Sequence, residues 1–288
     1  YSFTDYENRG FAIYAPEFYD LERVRHLMRL LGDPQNSVHV IHIAGTKGKG
    51  STAAMIESIL RAAGYRTGLY TSPHLHTFRE RIQVGGELIP ESDVVRLMVE
   101  MEPHVAKVPG ITTFEVMTAL AFAWFAEQGV QWAVAEVGLG GRLDAVNVVD
   151  ADAALITSIG IDHTDWLGAD RDAIAAEKAG IMRSGRPVIC GDSEPPATLL
   201  DAARQRTPEY GIELIDVIGS STMLGNADRK PRSSMGMPFF SAASGLPVRK
   251  LMPQCSQTSL PASGSNRKSA PHWSQGKRCS SLGGAGGA

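Results

Sequence analysis

The sequence predicts an α/β protein, a mostly parallel sheet with helices on both faces, organised around a phosphate-binding loop. Three observations predict it. Short apolar runs alternate with helical patterns through residues 1 to 216. A glycine-rich stretch, GTKGKGST, separates the first such run from the first such pattern. The runs tend to end on Gly, Ser or Thr, where open α/β sheets bind their ligands.

The elements follow in order. SVHVIHI, at 37 to 43, is short, apolar and β-branched, and reads as a strand. TAAMIESILRAAG then reads as a helix with Met55, Ile56, Ile59 and Leu60 on one face and Gly64 as its stop. RTGLYTS, QWAVAEVG, DAALITSIG, RPVICG and IELIDV repeat the strand signal, and helical patterns separate them at 91 to 107, 112 to 128, 170 to 182 and 195 to 206. The strands are apolar along most of their length, as expected when helices cover both faces of a parallel sheet.

At 288 residues, with 43% apolar and 20% charged side chains, the chain has the material for one or two cores. It holds no apolar run of the roughly 18 residues that span a bilayer, and YSFTDYENRG lacks the pattern of a signal peptide, so a cytoplasmic protein without membrane contact is expected. The chain starts on Tyr1, and its natural start is expected upstream. Cys190, Cys255 and Cys279 show no metal-ligand spacing.

Charge divides the chain. From Val217 onward nine Lys and Arg stand against one acid, Asp228, which leaves nineteen bases against thirty acids in residues 1 to 216. The last 72 residues hold 14 Ser, 10 Gly and 6 Pro without helical or strand periodicity, too little apolar density to offset ordering entropy. The expected organisation is therefore a folded α/β part over 1 to 216 and a disordered, basic tail over 217 to 288. The tail's charges are scattered, so no nucleic-acid partner is expected, and the abrupt change suggests an out-of-frame end.

Gly45, Gly48, Lys49, Gly50 and Ser51 give G-x-x-G-K-G-S, a compressed form of the common phosphate loop G-x-x-x-x-G-K-[ST]. Its parts suit a nucleotide. Glycines let backbone amides converge on phosphate, the following helix offers its positive end, Lys49 reaches the outer phosphates, and Ser51 or Thr52 can hold magnesium. A glycine-rich turn with a solvated lysine is the plainer alternative. Glu136 ends the apolar run WAVA, where a buried carboxylate without a partner would be costly.

GTKGKGST, YTSPHLHTFRERI, TTFEVMTALAF, EVGLGGRLDAVN, ITSIGIDHTDWLG and EKAGI occur in the order and approximate spacing of the folylpolyglutamate synthase and dihydrofolate synthase family, in the Mur ligase superfamily. Over residues 20 to 216 the chain resembles that family, although Lys47 stands where the family usually has Asn. The resemblance implies the Mur ligase central domain, here incomplete, with ATP and Mg2+ as cofactors and with dihydropteroate or folate and glutamate as small-molecule substrates. It implies that ATP turns a carboxylate into an acyl phosphate, which the glutamate amine attacks to form an amide, in a monomer.

Carried over residue by residue, Gly45, Thr46, Lys47, Gly48, Lys49, Gly50, Ser51 and Thr52 bind the nucleotide. Ser51, Ser72, Glu136, His163 and a carbamate on Lys178 are implied as metal ligands, with Lys49, Lys178 and His163 the catalytic groups. Arg81, Thr112, Phe114, Asp144 and Ala145 are implied on the substrate side, Phe114 stacking on a flat ring and Asp144 accepting hydrogen bonds from amino groups. Plainer alternatives stay open: His163 with Asp162 and Asp165 as a helix cap, Ser72 before Pro73 as a turn serine, Phe114 as core, Lys178 as a helix lysine paired with Glu177 or Asp172. A Mur-type ligase for another substrate and a non-catalytic nucleotide-binding fragment are the competing functions.

Overall fold

The computed structural model describes residues 20–206 and, as backbone, two further strands at 212–215 and 221–224. All of these belong to the unit Tyr1–Arg229; the second unit, Lys230–Ala288, lies outside the described residues. In chain order the elements are α1 (Leu21–Leu30), β1 (His39–Ala44), α2 (Lys49–Ala62), β2 (Thr67–Tyr70), β3 (Ile82–Val84), β4 (Glu87–Leu88), α3 (Glu91–Val105), α4 (Thr113–Glu127), β5 (Trp132–Glu136), β6 (Ala153–Ile156), α5 (Thr164–Leu167), α6 (Arg171–Ala179), β7 (Val188–Cys190), α7 (Ala197–Arg206), β8 (Ile212–Ile215) and β9 (Ser221–Leu224).

The strands form one nine-stranded sheet in the order β4-β3-β2-β5-β1-β6-β7-β8-β9. From β2 to β8 every neighbour is parallel. An antiparallel hairpin, β3 with β4, closes one edge on β2, and β9 runs antiparallel to β8 at the other. The expected α/β class and mostly parallel sheet are therefore present. Strand β9 lies inside the stretch that shows no periodicity in the sequence; the rest of 217–288 lies outside the described residues.

Pairing register tells which helix covers which face. Val40 pairs with Ala133, and His42 pairs with both Ala135 and Ala154, so these side chains share one face. There they meet α1, α3 and α4 around Phe122 and Phe125, and further along the sheet α6 and α7 around Ile174 and Leu199. Helix α4 is buried nearly all round, and a Cβ added to Gly68 of β2 would sit 3.0 Å from Phe125, so glycine there admits the helix.

Helix α2 lies on the opposite face with Ile43, Leu69 and Val134, as a right-handed crossover from β1 back to β2 demands. Its expected apolar face is corrected by the structure. The buried positions are Ala53, Glu57 and Leu60, whereas Met55 and Ile59 are 58% and 59% exposed. Small Ala53 lets the helix approach the sheet, and Glu57 stays buried because it accepts from the Thr67 hydroxyl and the Arg61 guanidinium. Among the described residues α2 is the sole helix on this face, and Ile41, Leu155 and Ile189 beside it are only half-buried.

One core residue ties stability to pH. His42 is fully buried, neither ring nitrogen has a partner, and burial, with Arg183 adding to it, pushes its pKa down to about 3. The imidazole is thus neutral when folded but titrates near 6.5 when unfolded, so its contribution is complete above about pH 6.5 and is lost as pH falls towards 3. Stability should drop by about 2 kcal/mol between pH 7 and pH 5 from this residue alone. Urea unfolding of the protein and of His42→Leu at both pH values checks it; an unchanged pH slope in the variant would refute the assignment.

Candidate functional site

Beyond the carboxyl ends of β1 and β5 lies a cleft lined by Gly45, Thr46, Lys49, residues 137–140, Asp162, His163 and Lys178. Gly45 to Gly48 make the turn between β1 and α2, with φ of 150° and 81° at the two glycines. A Cβ at Gly45 would lie 1.8 Å from Thr157 Oγ1, so the loop can run this close to β6 only with glycine there.

The loop is held from the β6 side. The Thr46 amide donates to Ser158 O at 2.7 Å, and the Thr46 hydroxyl bonds with Gly160 through both N and O. Thr157 Oγ1 donates to Lys47 O at 2.7 Å, and Lys178 Nζ donates to Gly45 O at 3.0 Å. Ser51 is exposed and Thr52 half-buried in the first turn of α2, and Lys47 is exposed.

Glu136 ends β5 and is 4% exposed. The Ser72 amide donates to its Oε2 at 3.1 Å and the Gly50 amide also donates to it, while Lys49 Nζ stands 4.0 Å from Oε1. Burial raises its pKa, and the two amides and Lys49 oppose that shift. The costly unpartnered carboxylate that the sequence warned of is thus avoided by the Ser72 and Gly50 amides together with the loop lysine. Lys178 is 4% exposed, and burial, helped by Lys49, pulls its pKa down to about 8 against the attraction of Asp162 and Asp144. His163 takes the left-handed conformation at φ 50°, ψ 45° just before α5, and its amide donates to Asp162 Oδ1 at 2.9 Å. A non-glycine residue held there is unusual and is the kind of strain found at functional sites.

The residues singled out for a substrate behave less uniformly. Phe114 is half-buried, stacks on Tyr70 at 6.1 Å and covers Gly138, so it is neither wholly core nor free. Thr112 caps α4, accepting from the Glu115 amide at 3.2 Å. Asp144 accepts from the amides of Leu139 and Val146 at 2.8 and 3.0 Å, and burial lifts its pKa to about 6 against those bonds. Its oxygens are thus engaged in shaping the 138–146 loop. Ala145 follows it, buried. Arg81 is 2% exposed and donates from Nε to His74 Nδ1 at 2.9 Å. Glu80 fixes the same segment by accepting from the amides of Leu75, His76 and Thr77.

Among the described residues no three His, Cys, Asp or Glu side chains group as a metal site. The expected donors, the Ser51 and Ser72 hydroxyls and the Glu136 carboxylate, are hard oxygens. That fits a magnesium ion, which keeps several waters and shares its coordination with phosphate oxygens, better than a transition metal.

Comparison with known proteins fits this geometry. The Mur ligase middle domain model matches residues 43–213. The dihydrofolate synthase/folylpolyglutamate synthase of Escherichia coli is 47% identical over 186 residues, 65% of this chain and 44% of that protein. The solved structure of E. coli FolC in complex with DHPP and ADP superposes with a TM-score of 0.65 at 43% identity, covering 73% of this chain and 49% of that one. The bifunctional folylpolyglutamate synthase/dihydrofolate synthase of Yersinia pestis, complexed with AMPPNP and a manganese ion, gives 0.63 at 38%, covering 72% and 48%. The chain spans less than half the length of these relatives.

Proposed function

The chain belongs to the Mur ligase family through its middle domain, and from that premise we propose that it is the nucleotide-binding part of an ATP-dependent ligase that joins glutamate to dihydropteroate or folate. The observation that carries this reading is the pairing of Lys49, in the phosphate loop, with the buried Glu136, 4.0 Å apart, the Ser72 amide donating to the same carboxylate. A carboxylate becomes an acyl donor once ATP has converted it to an acyl phosphate, and phosphoryl transfer asks for positioning and positive charge more than for covalent help. Residues 45–52 cradle the phosphates and Lys49 meets the outer ones. Ser51, Ser72 and Glu136 would hold a magnesium ion, which would supply positive charge to the transferring group.

Lys178 and His163 would hold a second metal in this reading. With its pKa near 8, about a tenth of Lys178 is neutral at pH 7, and the neutral amine can attack carbon dioxide, lose a proton and become an anionic carbamate. Phe114 lies against the flat ring, Ala145 beside it, while Arg81, Thr112 and Asp144 shape the surrounding loops. The reading places the enzyme in the cytoplasm as a monomer; among the described residues no helix is long and apolar enough to cross a membrane.

The competing reading is nucleotide binding without turnover. Calorimetry with Mg-ADP and an assay for dihydropteroate-dependent ADP release with glutamate separate the two. Mg-ADP binding is the expected result; turnover would sink the second reading, and failure to bind Mg-ADP would sink the first.

A further inference from the structure

We propose that Thr157 is a positioning residue for the nucleotide, acting through the Lys47 carbonyl to aim the Gly48 amide at phosphate. The argument begins with peptide geometry. In a planar trans peptide the C=O of one residue and the N–H of the next point in opposite directions, so whatever fixes the Lys47 oxygen also fixes the Gly48 N–H. Thr157 Oγ1 donates to Lys47 O at 2.7 Å, with Ser158 Oγ at 3.5 Å on the same oxygen.

The Gly45–Thr46 peptide is fixed in the same way from both sides, since Thr46 N donates to Ser158 O and Gly45 O accepts from Lys178. Two peptides of the turn are therefore oriented by side chains and backbone outside it. The Gly48 amide, at φ 81°, is left without a protein acceptor among the described residues. An amide aimed in advance at an anion needs no reorganisation when phosphate arrives, which is how backbone nests bind phosphate.

Thr157 is suited to this task by place as well as chemistry. It follows the last residue of β6, directly beside β1, and so stands against the loop that β1 feeds. Its hydroxyl occupies the space that a side chain at Gly45 would need, so the glycine and the threonine fit as a pair. Serine preserves the hydroxyl. Alanine removes it without introducing a clash.

The inference takes its ligand from the nucleotide reading above, so the test has an arm that needs no ligand. In the 288-residue chain, Mg-ADP affinity should fall about fivefold to tenfold in Thr157→Ala, the worth of one oriented hydrogen bond, and should stay within about twofold in Thr157→Ser. In the unliganded protein labelled with 15N-glycine, the Gly48 amide resonance should move or broaden in Thr157→Ala and remain in place in Thr157→Ser. Rescue by serine separates positioning from general damage. If the parent does not bind Mg-ADP, the nucleotide reading falls and the Gly48 resonance still decides the role of Thr157. An unmoved Gly48 resonance in the alanine variant, or equal affinities in the alanine variant and the parent, would overturn the proposal.

Discussion

Lys49→Ala is expected to weaken Mg-ADP binding by at least about tenfold, and the same change at the matching lysine of a relative with ligase activity to remove nearly all turnover. A charge-assisted contact to phosphate contributes roughly 1.5–3 kcal/mol, which corresponds to about a tenfold to 150-fold change. The loss extends to Glu136. Its pKa is already raised by burial, and Lys49 is one of three groups that oppose that rise. Without the ammonium 4.0 Å away the carboxyl shifts further towards its protonated form, and a protonated carboxyl is a poor magnesium ligand. The variant should therefore lose magnesium dependence along with affinity, so that titrations with and without magnesium converge. Calorimetry on the parent and on Lys49→Ala, each with Mg-ADP and with ADP in EDTA, measures both effects. Affinity within about threefold of the parent would contradict the assignment.

What the sequence made legible divides along physical lines. Strand β1, the loop and α2 were readable because a β-branched run, clustered glycines and a helical period sit in direct succession, each a local signal. The face that α2 buries was not. Apolar period pointed to Met55 and Ile59, yet contact with a flat sheet selects small Ala53, and Glu57 is admitted by Thr67 and Arg61, partners that sequence spacing does not reveal. Helix α1 escaped notice although its signals are local: Asp20 accepts from the Glu22 amide as N-cap, and Leu21, Val24, Leu27 and Met28 recur at helical spacing and are buried. Strands β3 and β4 are three and two residues long, too short to show alternation.

The site divides in the same way. Lys49 and Glu136 stand out locally, one inside the glycine loop and one at the end of an apolar run, whereas Lys178 is singled out by the family resemblance alone; His163 and Lys178 line the cleft beside the loop. Thr112, Asp144 and Arg81 are implied on the substrate side by the resemblance alone, and in the structure they bond to Glu115, to Leu139 and Val146, and to His74. Thr157 passed unremarked, since its role depends on a contact 110 residues away in the chain.

Gly180→Ala is expected to destabilise the fold by about 3 kcal/mol or more, against the usual sign for this change. At an ordinary helical φ an alanine normally stabilises by about 0.4–1 kcal/mol, because it restricts the unfolded chain. Gly180, the C-cap of α6, has φ −60°, so backbone strain has no part in the outcome. Sterics decide it: the added Cβ would lie 2.4 Å from Arg142 Cβ and 2.5 Å from Arg142 Cα, and a backbone atom cannot swing aside as a side-chain tip can. Gly141 has the reciprocal relation, its added Cβ 2.8 Å from Glu177 O and 3.1 Å from Lys178 Cα, so the two glycines allow the 138–142 loop to lie directly on the end of α6.

Bonds from Arg142 N to Glu177 O and from Asn147 Nδ2 to both Arg142 O and Gly180 O close that junction and would be stretched together. The same junction sets Lys178, two residues before Gly180, at the Gly45 carbonyl. Pushing the helix away should therefore loosen the phosphate loop as well, and Mg-ADP affinity should fall with stability even though Gly180 touches no ligand. Urea unfolding and calorimetry on Gly180→Ala measure the two effects. A stability loss below about 1 kcal/mol would show that the loop can retreat from α6 at little cost, and the close contact would then not be what holds Lys178 in place.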